Sequence, residues 1–354
     1  MRNAMHKATQ ADGKEILRIL ESSAAKGSIE LIYTRRPDAY ESYMREPGES
    51  HVFVSREGER AIGTCAELIR KVYIDGKICR AAYICGLKKD AAYEGGIGFG
   101  AGFVRDLACD GVDFYYCSVV SDNAHVQRTF EKSKRAIAAT PITAYRTYIL
   151  NPCLRYRIPA HNYIFRQATA DDTEELLAFL NAEGKQSDLF PVVESLEDFY
   201  NLHIQDFYLL TDTGGILAAA ALWRQTEYRQ YVVKRYKGMM RLARYANPLL
   251  EASGYIRLPK ENQALDFPML SFFVCKDGDQ TLWRILFGEI KREAAKRYGM
   301  MVIGLPHKHY AAPVLNRLPS IRFDTELYEI GFPWKGPSAC HVNSHAIYPE
   351  CGLL

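Results

Sequence analysis

The sequence predicts an α+β fold that consists of two similar domains in tandem. An internal repeat is the first observation: residues 8–17 read Ala-Thr-Gln-Ala-Asp-Gly-Lys-Glu-Ile-Leu, and residues 168–177 read Ala-Thr-Ala-Asp-Asp-Thr-Glu-Glu-Leu-Leu. Copies 160 residues apart indicate a duplicated domain rather than a solenoid. The predicted strands and helices also follow a similar order in both halves, and 354 residues suit two domains of roughly 150 residues each. A chance likeness of two helix starts is the alternative explanation of so short a match.

Composition is that of an ordinary globular protein. Lys and Arg total 45 against 42 Asp and Glu, and 48% of residues are hydrophobic, which argues against disordered, collagenous and highly basic proteins. No uncharged run approaches the roughly 18 residues of a membrane-spanning helix. The first residues lack the apolar stretch of a secretory leader, and nine scattered cysteines suggest free thiols. A cytoplasmic location is therefore expected.

Each predicted element of the first half follows from a local pattern. Thr9 and Asp12 form a helix start with acids in the first turn. Alternating or continuous apolar runs predict strands, and Asp75-Gly76 is a typical two-residue hairpin turn. The predicted strands are residues 51–56, 61–73, 77–87, 113–120 and the run 136–150. The predicted helices lie near residues 98–108 and 123–133.

The second half repeats this order. Strands are predicted at residues 207–210, 216–223, 269–275, 301–305 and on to 332, with helices at 280–298 and near 310–318. The resulting domains are residues 1–150, a linker at 151–163 that contains two prolines, residues 164–334 with a helical insertion at about 228–253, and a tail at 335–354.

A glycine-rich loop lies between a predicted strand and a predicted helix. Gly95, Gly96 and Gly98 would let the backbone approach a ligand, and the helix N-terminus that follows offers unpaired N–H groups. Together they suit a pyrophosphate. Tight turning with close helix packing explains the glycines equally well. The spacing does not fit the dinucleotide fingerprint Gly-x-Gly-x-x-Gly, and the Lys-Ser/Thr of a P-loop is missing.

This loop resembles motif A of the GCN5-related N-acetyltransferase (GNAT) superfamily, in which Gln/Arg-x-x-Gly-x-Gly/Ala joins a strand to a helix. Gly96-Ile97-Gly98 matches the glycine positions, whereas Tyr93 stands at the Gln/Arg position. The resemblance implies that the N-terminal half binds the coenzyme A pyrophosphate with loop amides and the thioester carbonyl with strand backbone. The residues implied are Tyr93, Gly95, Gly96, Ile97 and Gly98 for the loop, and Gly86, Leu87 and Lys88 for the strand.

Residues 122–132 resemble a second signature of the same family, Asn-x-x-Ala-x-x-x-Tyr-Glu-Lys on the following helix. The resemblance implies that Asn123 contacts the pantetheine arm of coenzyme A. Phe130 stands where many members have a tyrosine that protonates the departing thiolate. Asn123 is equally suited to capping the helix, and the two roles are compatible.

Three residues are candidates for catalysis. Glu67 is the one acid of the run 61–73, although a solvated strand face carries such residues by default. Tyr83 could pass a proton through water. Some tandem members of the resembled family use a terminal carboxylate as the base, which implies that role for Leu354 or for the side chain of Glu350. A tail that only covers a sheet edge is the alternative.

Other features of the second half point away from cofactor binding. Residues 275–281 have one glycine and two acids, which would repel a pyrophosphate, so this domain is expected to be a degenerate copy. The basic run 224–244 has interleaved tyrosines, as RNA-binding segments do, but a solvated helical insertion is favoured. The cysteines and histidines at 340–351 match no compact metal spacing, so no metal is expected.

The resemblance implies an acetyl-CoA-dependent N-acetyltransferase that acts on a small-molecule amine, with no nucleic-acid or membrane partner. The C-terminal half is expected to contribute either to the acceptor pocket or to a homodimer interface. Two alternatives remain open. A catalytically silent acyl-CoA or metabolite sensor is favoured by Tyr93 and Phe130. A transferase that acts on RNA or aminoacyl-tRNA is favoured by the basic run.

Overall fold

The structure of the chain is a computed structural model, which describes residues 5–25, 27–95, 107, 111–121, 123, 126, 128, 130, 137–247, 258–336, 338–342 and 346–354. The strands are β1 Met5–Lys7, β2 Ile29–Thr34, β3 Glu49–Glu57, β4 Arg60–Ile74, β5 Lys77–Lys89, β6 Phe114–Val120, β7 Ala138–Leu150, β8 Ile164–Gln167, β9 Phe207–Asp212, β10 Gly215–Trp223, β11 Gln230–Tyr236, β12 Met269–Cys275, β13 Met301–Pro306 and β14 Ser320–Gly331. The helices are α1 Gly13–Glu21, α2 Ala39–Met44, α3 Thr173–Gly184, α4 Met239–Tyr245, α5 Gln280–Ala295 and α6 Ala312–Leu315.

One large mixed sheet runs through both halves. Within the described ranges it has 12 strands in the order β1-β3-β4-β5-β6-β14-β7-β13-β12-β10-β9-β8. Most neighbours are antiparallel, but β5 pairs with β6 and β12 pairs with β13 in parallel. Strands β2 and β11 form a separate antiparallel ladder that joins the two halves at another point. The α+β class predicted from the sequence is confirmed.

The two halves exchange strands at the centre of this sheet. Strand β14 of the second half lies between β6 and β7 of the first half. In return, β7 of the first half pairs with β13 of the second half over six residue pairs. Each half therefore completes the sheet of the other.

The repeated openings form the same local structure. Asp12 Oδ2 accepts a hydrogen bond from the backbone N–H of Thr9 at 2.7 Å, and Asp172 Oδ2 accepts one from Thr169 at the same distance. In each copy a single 3₁₀ turn follows, and then α1 or α3 begins. These shared capping contacts show that the sequence repeat is also a structural repeat.

The N-terminal half has a hydrophobic core on each face of its sheet. One core, here called the α1–α2 face, packs helices α1 and α2 against side chains that include Leu68, Tyr83 and Tyr116. The other, here called the Phe130 face, packs Leu107 and Phe130 against Cys65 and Cys117. Because side chains alternate along a strand, neighbouring residues of β4 and β5 point to opposite faces.

The helical insertion predicted at 228–253 is wrong for its first part. Residues 230–236 form β11, which pairs with β2, more than 190 residues earlier in the chain. Val232 and Val233 are buried in the ladder, so tertiary pairing overrides the local pattern. Helix α4 then occupies 239–245, and residues 248–257 lie outside the described part of the chain.

The expectation that all cysteines are free is also wrong, because Cys79 and Cys340 form a disulfide. Cys79 lies in the α1–α2 core, and Cys340 packs against the same core from the tail, which brings the two thiols together. Asp113 has a carboxylate oxygen within 4.8 Å of both sulfur atoms. Sulfurs bonded to each other are not thiolates, the form that binds a metal. Among the described helices, none is both long enough and apolar enough to cross a membrane.

Candidate functional site

Strands β5 and β6 separate at the centre of the N-terminal sheet. They pair in parallel from Ala81 with Phe114 to Ile84 with Cys117, and no further pair joins them within the described residues. Both strands continue past this point, since β5 runs to Lys89 and β6 to Val120. A gap therefore opens between two strands that stay paired on their outer edges with β4 and β14.

A β-bulge on β5 lies at the mouth of this gap. Thr64 pairs with Lys88 and Ala66 with Cys85, so two residues of β5, Gly86 and Leu87, lie opposite one residue of β4. Gly86 has φ of 61°, a conformation that other residues rarely adopt. The bulge turns backbone amides of this segment away from the regular ladder. This is the segment that the sequence predicted to bind a thioester carbonyl.

A tyrosine that sequence reasoning missed contacts the bulge. A β-carbon on Gly86 would lie 2.2 Å from the hydroxyl oxygen of Tyr43, so the phenol occupies the space beside the glycine. Tyr43 is fully buried, and within the described residues its hydroxyl has no hydrogen-bond partner. Buried hydroxyls are normally hydrogen-bonded, so Tyr43 retains an unused donor beside the bulge.

Tyr83 bridges the gap on the α1–α2 face. Its hydroxyl and that of Ser118 on β6 are 2.5 Å apart, and either can be the donor. Burial raises the pKa of Tyr83 well above its ordinary value, so the phenol stays protonated at neutral pH. Tyr116 packs beside it with ring centroids 5.0 Å apart. The two hydroxyl groups of Tyr83 and Ser118 can pass a proton between them while both residues stay uncharged.

Glu67 lies on the opposite face, across from Ile84 at the last paired position before the gap. Its side chain is fully buried, and Oε2 is 3.2 Å from Nδ1 of His51. The other ring nitrogen of His51 is 2.7 Å from Oε1 of Glu49, which is half exposed. A carboxylate, an imidazole and a second carboxylate thus lead from the sheet interior to solvent. Glu67 and Tyr83 are both near the gap but not on the same face.

The glycine loop is only partly described. Gly96, Ile97 and Gly98 lie outside the described residues. Tyr93 donates a hydrogen bond to Glu57 at 3.1 Å, and the carbonyl of Gly95 accepts one from Lys89. The first contact holds the start of the loop against the β3–β4 hairpin, and the second links it to the end of β5. Its predicted role in binding a pyrophosphate stays a prediction.

Asn123 and Phe130 follow β6 in the chain, and their predicted contacts with coenzyme A stay a prediction. Asn123 Oδ1 accepts a hydrogen bond from the backbone N–H of Val126 at 3.3 Å, which is the capping contact. Phe130 is partly buried and packs against Tyr328 of the exchanged strand β14, with ring centroids 5.3 Å apart. Tyr328 lies opposite Cys117 in the register of β14 and β6. A phenol therefore lies next to the position where many family members have one.

The two other predicted strand residues differ in exposure. Leu87 is 44% exposed, so its side chain leaves room for a ligand at its backbone. The ammonium of Lys88 donates hydrogen bonds to the carbonyls of Leu20 and Ser23 at the end of α1. Burial lowers the pKa of Lys88 to about 8. Its side chain thus caps a helix, and only its backbone is available to a ligand.

The C-terminal tail lies deep between the halves. Residues 351–353 form a buried 3₁₀ turn, and Leu354 packs against the α1–α2 core that contains Tyr83. Arg229 donates hydrogen bonds to the carbonyl oxygens of Gly352, at 2.7 Å, and of Leu354. The tail thus reaches the face of the sheet on which Tyr83 bridges the gap. The catalytic role of Leu354 stays a prediction.

Glu350 is not positioned as a base. Its carboxylate accepts hydrogen bonds from the backbone N–H groups of Phe272, at 2.6 Å, and Gly352, at 3.1 Å. Burial raises the pKa of Glu350 above its ordinary value. Phe272 has φ of 53°, and the carboxylate satisfies the amide that this irregular strand position exposes. The contacts give Glu350 a structural role.

Three buried arginines surround the tail and α2, and no sequence pattern predicted them. Arg35 pairs with Glu46 at 2.6 Å, and both side chains are at most 1% exposed. Arg229 Nε lies 3.9 Å from the same carboxylate. Burial alone would raise the pKa of Glu46, but the charges of Arg35, Arg229 and Arg70 lower it below its ordinary value. We call Arg35, Glu46, Arg70 and Arg229 the arginine cluster.

The arginine cluster lies close to the gap. Burial raises the pKa of the Cys85 thiol to about 11, and the charges of all four cluster residues act on that thiol. Cys85 directly precedes the bulge residue Gly86. A net positive charge therefore lies behind the mouth of the gap, on the face that carries α2.

Comparison with known proteins identifies the fold. No family model and no curated protein matches the sequence. Among solved structures, N-myristoyltransferase of Saccharomyces cerevisiae with bound myristoyl-CoA has a TM-score of 0.59 at 9% identity, over 93% of this chain and 83% of that chain. A GCN5-related N-acetyltransferase from Anabaena variabilis has a TM-score of 0.53 at 10% identity, over 94% of this chain and 73% of that chain. The chain has the GNAT fold. A probable N-acyltransferase from Enterococcus faecalis V583 matches equally well, with a TM-score of 0.53 at 10% identity over 94% and 73% of the two chains.

In the second half, backbone N–H groups after β12 are already hydrogen-bonded by the protein itself. Asp279 accepts hydrogen bonds from the backbone N–H groups of Thr281, at 2.5 Å, and Leu282, at 3.0 Å, at the start of α5. These are the donors that a helix N-terminus offers to a phosphate. That this half is the degenerate copy stays a prediction.

The basic run 224–244 is partly engaged inside the fold. Arg224 pairs with Asp266 at 2.8 Å, Lys237 pairs with Glu30 at 2.5 Å, and Arg229 is buried on the tail. These cations are held by protein partners. That the protein binds no nucleic acid stays a prediction.

Proposed function

We propose that this protein is an acetyl-CoA-dependent N-acetyltransferase that acts on an amine. The gap between β5 and β6 carries the proposal. It opens at Ile84 and Cys117, and the bulge at Gly86 and the unsatisfied hydroxyl of Tyr43 lie at its mouth. A thioester carbonyl is the kind of acceptor that backbone amides and a buried phenol would bind, and such donors stabilise the oxyanion of acyl transfer.

Acyl-CoA would supply the activated acyl group, and the residues of the chain would hold it. The backbone of Gly86, Leu87 and Lys88 and the hydroxyl of Tyr43 would bind the thioester carbonyl. The glycine loop would bind the pyrophosphate at the start of the helix that the sequence predicts after it. Asn123 and Phe130 would line the pantetheine arm from the Phe130 face.

We infer that the two substrates approach the gap from the two faces of the sheet. Leu107 and Phe130 lie on one face, whereas α1 and α2 lie on the other. The donor would reach the gap from the Phe130 face and the amine from the α1–α2 face. This division supports direct transfer, because both substrates can occupy the gap together.

Proton transfer can be assigned on each face. On the acceptor face, the hydroxyl of Tyr83 would take a proton from the attacking amine as it passes its own to Ser118, and Ser118 would in turn release its hydroxyl proton to water. On the donor face, Tyr328, which packs against Phe130, would protonate the departing thiolate. Glu67, linked to His51, lies on the donor face, so in this arrangement it would not take the proton of the amine. General acid–base groups contribute about 100-fold to 10,000-fold each.

A short acyl group fits the packing below the gap. The rings of Tyr83 and Tyr116 fill the α1–α2 face where the parallel pairing ends. A long acyl chain would have to displace these buried rings. Acetyl-CoA is therefore the donor we propose. Myristoyl-CoA, which the yeast enzyme binds, is the comparison donor for the test below.

A silent acyl-CoA sensor is the second candidate, and Phe130 favours it because the family's usual acid is missing there. Calorimetry with acetyl-CoA followed by a thiol-release assay over a panel of amines separates the candidates. The transferase binds and releases thiol, whereas the sensor binds and releases none. Gly96→Glu should abolish binding, because its carboxylate would repel the pyrophosphate. Ala170→Glu adds the same charge to an exposed surface of the second half and should leave affinity unchanged. Equal affinity in both variants would remove the proposal.

A further inference from the structure

The three most exposed large hydrophobic side chains of the described residues lie on one short helix. Met239 is 85% exposed, Leu242 68% and Tyr245 81%, whereas the next, Ile164 on β8, is 60% exposed. All three belong to α4 and are three residues apart, so they lie on one face of the helix. Exposed apolar side chains that are grouped in this way, rather than scattered singly, mark an interaction surface.

The opposite face of α4 fixes the helix to the fold. Met240 packs in the core that contains Val233 and Tyr236 of β11. One turn later, Arg244 donates a hydrogen bond to the carbonyl oxygen of Pro259 at 3.0 Å, and the hydroxyl of Tyr236 donates to the same oxygen at 2.9 Å. These contacts hold the apolar face of α4 toward solvent.

Cations flank this apolar face. Between Gln230 and Asn247 the chain carries no acid and five cations, which are Lys234, Arg235, Lys237, Arg241 and Arg244. Lys237 pairs with Glu30 at 2.5 Å and Arg244 is bonded as described, whereas the other three are exposed. The formal charge of the whole chain is only +3, so positive charge is concentrated here. We call these three exposed cations, together with the apolar face of α4, the α4 patch.

We propose that the α4 patch docks the protein on the surface of an anionic lipid bilayer. The apolar face of α4 enters the boundary between headgroups and acyl chains, and Lys234, Arg235 and Arg241 bind lipid phosphates beside it. Stable docking needs both parts, because one short apolar segment binds a membrane only marginally. The inference does not depend on acyl transfer. It differs from the expectation, drawn from the sequence, of no membrane partner.

The exposure of the side chains favours lipid over RNA, although this segment has the basic and aromatic pattern of RNA-binding segments. Single-stranded RNA is held by aromatic rings on which its bases stack. Tyr228 and Tyr236 are buried, and Tyr231 is only partly exposed. The side chains that project furthest include Met239 and Leu242, which cannot stack as rings do but gain free energy in hydrocarbon.

Charge and shape argue against a second copy of the chain as the occupant. In a two-fold symmetric dimer the same surface of each copy meets the other. The exposed cations of the α4 patch would then lie close to like charges, which is unfavourable. Each apolar side chain of the patch is also more than two-thirds exposed, and a bilayer accepts such projecting groups without a matching pocket.

Co-sedimentation of the full chain with lipid vesicles tests the inference. We expect binding to vesicles of equal parts phosphatidylcholine and phosphatidylglycerol. Binding to pure phosphatidylcholine should be at least about tenfold weaker, since each cation near an anionic surface contributes about fivefold in affinity. High salt should release the protein because it screens these charges. Equal binding to both kinds of vesicle, or binding to neither, would overturn the inference.

Variants with matched controls locate the surface. Leu242→Gln should weaken binding to the anionic vesicles by about tenfold or more, and Arg241→Gln by about fivefold. Ile164→Gln removes an exposed apolar side chain of β8, and Lys77→Gln removes an exposed cation of β5. Both controls should bind as the unaltered protein does. All four side chains are exposed, so melting temperatures should stay the same. Equal losses in the controls would refute a role of the α4 patch.

Tyr245→Trp tests whether α4 enters the lipid. Trp223 and Trp283 are buried, and Trp334 is present in both proteins, so the difference in emission from the unaltered protein reports the new ring. This emission should shift to shorter wavelengths when anionic vesicles are added. Vesicle binding without the shift would refute insertion of α4.

The same variants identify another occupant. If the α4 patch binds RNA, the protein retains transfer RNA, and Arg241→Gln weakens retention while Leu242→Gln does not. If it binds a second copy, light scattering shows a dimer that Leu242→Gln converts to a monomer. Either result without vesicle binding would overturn the inference.

Discussion

The hydroxyl oxygen of Tyr43 lies 2.2 Å from the position that a β-carbon on Gly86 would occupy. This close approach joins α2 to the bulge of β5 at the mouth of the gap. Any side chain at Gly86 would displace the phenol and change the direction of the backbone amides. The site therefore depends on a residue without a β-carbon at this position.

Gly86→Ala should damage both stability and activity. The substitution combines a left-handed φ of 61° with the clash against Tyr43, and each effect alone costs about 1 kcal/mol or more. Urea unfolding should show the loss of stability, and turnover should fall further than the folded fraction explains. Gly58→Ala is the matched control, because Gly58 has φ of 59° with nothing within 4 Å of its β-carbon position. Equal effects of the two substitutions would show that the contact with Tyr43 is unimportant.

The bulge and its hairpin show what local sequence predicts well. The β4–β5 hairpin follows from two apolar runs and a turn, and the structure places Asp75 and Gly76 at φ of 52° and 67°, as such a turn requires. Motif A likewise led to the GNAT fold. Both depend on residues that are near each other in the chain.

The parts that sequence reasoning missed depend on distant residues. Arg35, Arg70 and Arg229 come together only when the two halves pack, so no spacing in the sequence predicts the cluster. Strand β11 was predicted as helix because its partner, β2, comes from the other half. The insertion of β14 between β6 and β7 is equally non-local. Such pairings depend on packing and burial between distant segments, and these leave no periodic pattern in a single sequence.

Tyr83→Phe should lower kcat by about 100-fold while the affinity for acetyl-CoA is retained, because the hydroxyl that bridges to Ser118 is removed and the ring remains. Single-turnover kinetics and calorimetry measure the two quantities. Tyr73→Phe is the control: its hydroxyl hydrogen-bonds to Asn181 at 3.1 Å, away from the gap, and its loss should affect stability alone. An active Tyr83→Phe enzyme would exclude the proton relay.

Asp90→Asn should weaken the anchor of the glycine loop in a pH-dependent way. The Asp90 carboxylate accepts hydrogen bonds from the N–H of Ala92 and from Arg18 and Arg60, which lower its pKa to about 2. A folded-state pKa below the unfolded one stabilises the protein above about pH 4, and this contribution is lost as the pH falls through about 2. The expected loss at neutral pH is on the order of 2 kcal/mol.

Urea unfolding of the Asp90→Asn variant from neutral to acidic pH tests the direction of this pH dependence. The difference from the unaltered protein should shrink as the pH falls from about 4 to about 2. Asp75→Asn is the control, because that side chain is 76% exposed and its loss should change stability little at any pH. A difference between Asp90→Asn and the unaltered protein that stays constant with pH would show that the effect is not electrostatic.

Removal of Leu354 tests the predicted terminal base. The Leu354 backbone oxygen accepts a hydrogen bond from Arg229, and the residue packs against the core that contains Tyr83. The predicted role requires this oxygen to be one of the two oxygens of a terminal carboxylate. Deletion of Leu354 moves that carboxylate by one residue, so kcat should fall about 100-fold with acetyl-CoA affinity retained. Leu354→Ala keeps the carboxylate in place and removes only the side chain, so it should stay active. If both variants instead lose activity in proportion to unfolded protein, as melting curves would show, the tail has a structural role and the base must be found elsewhere.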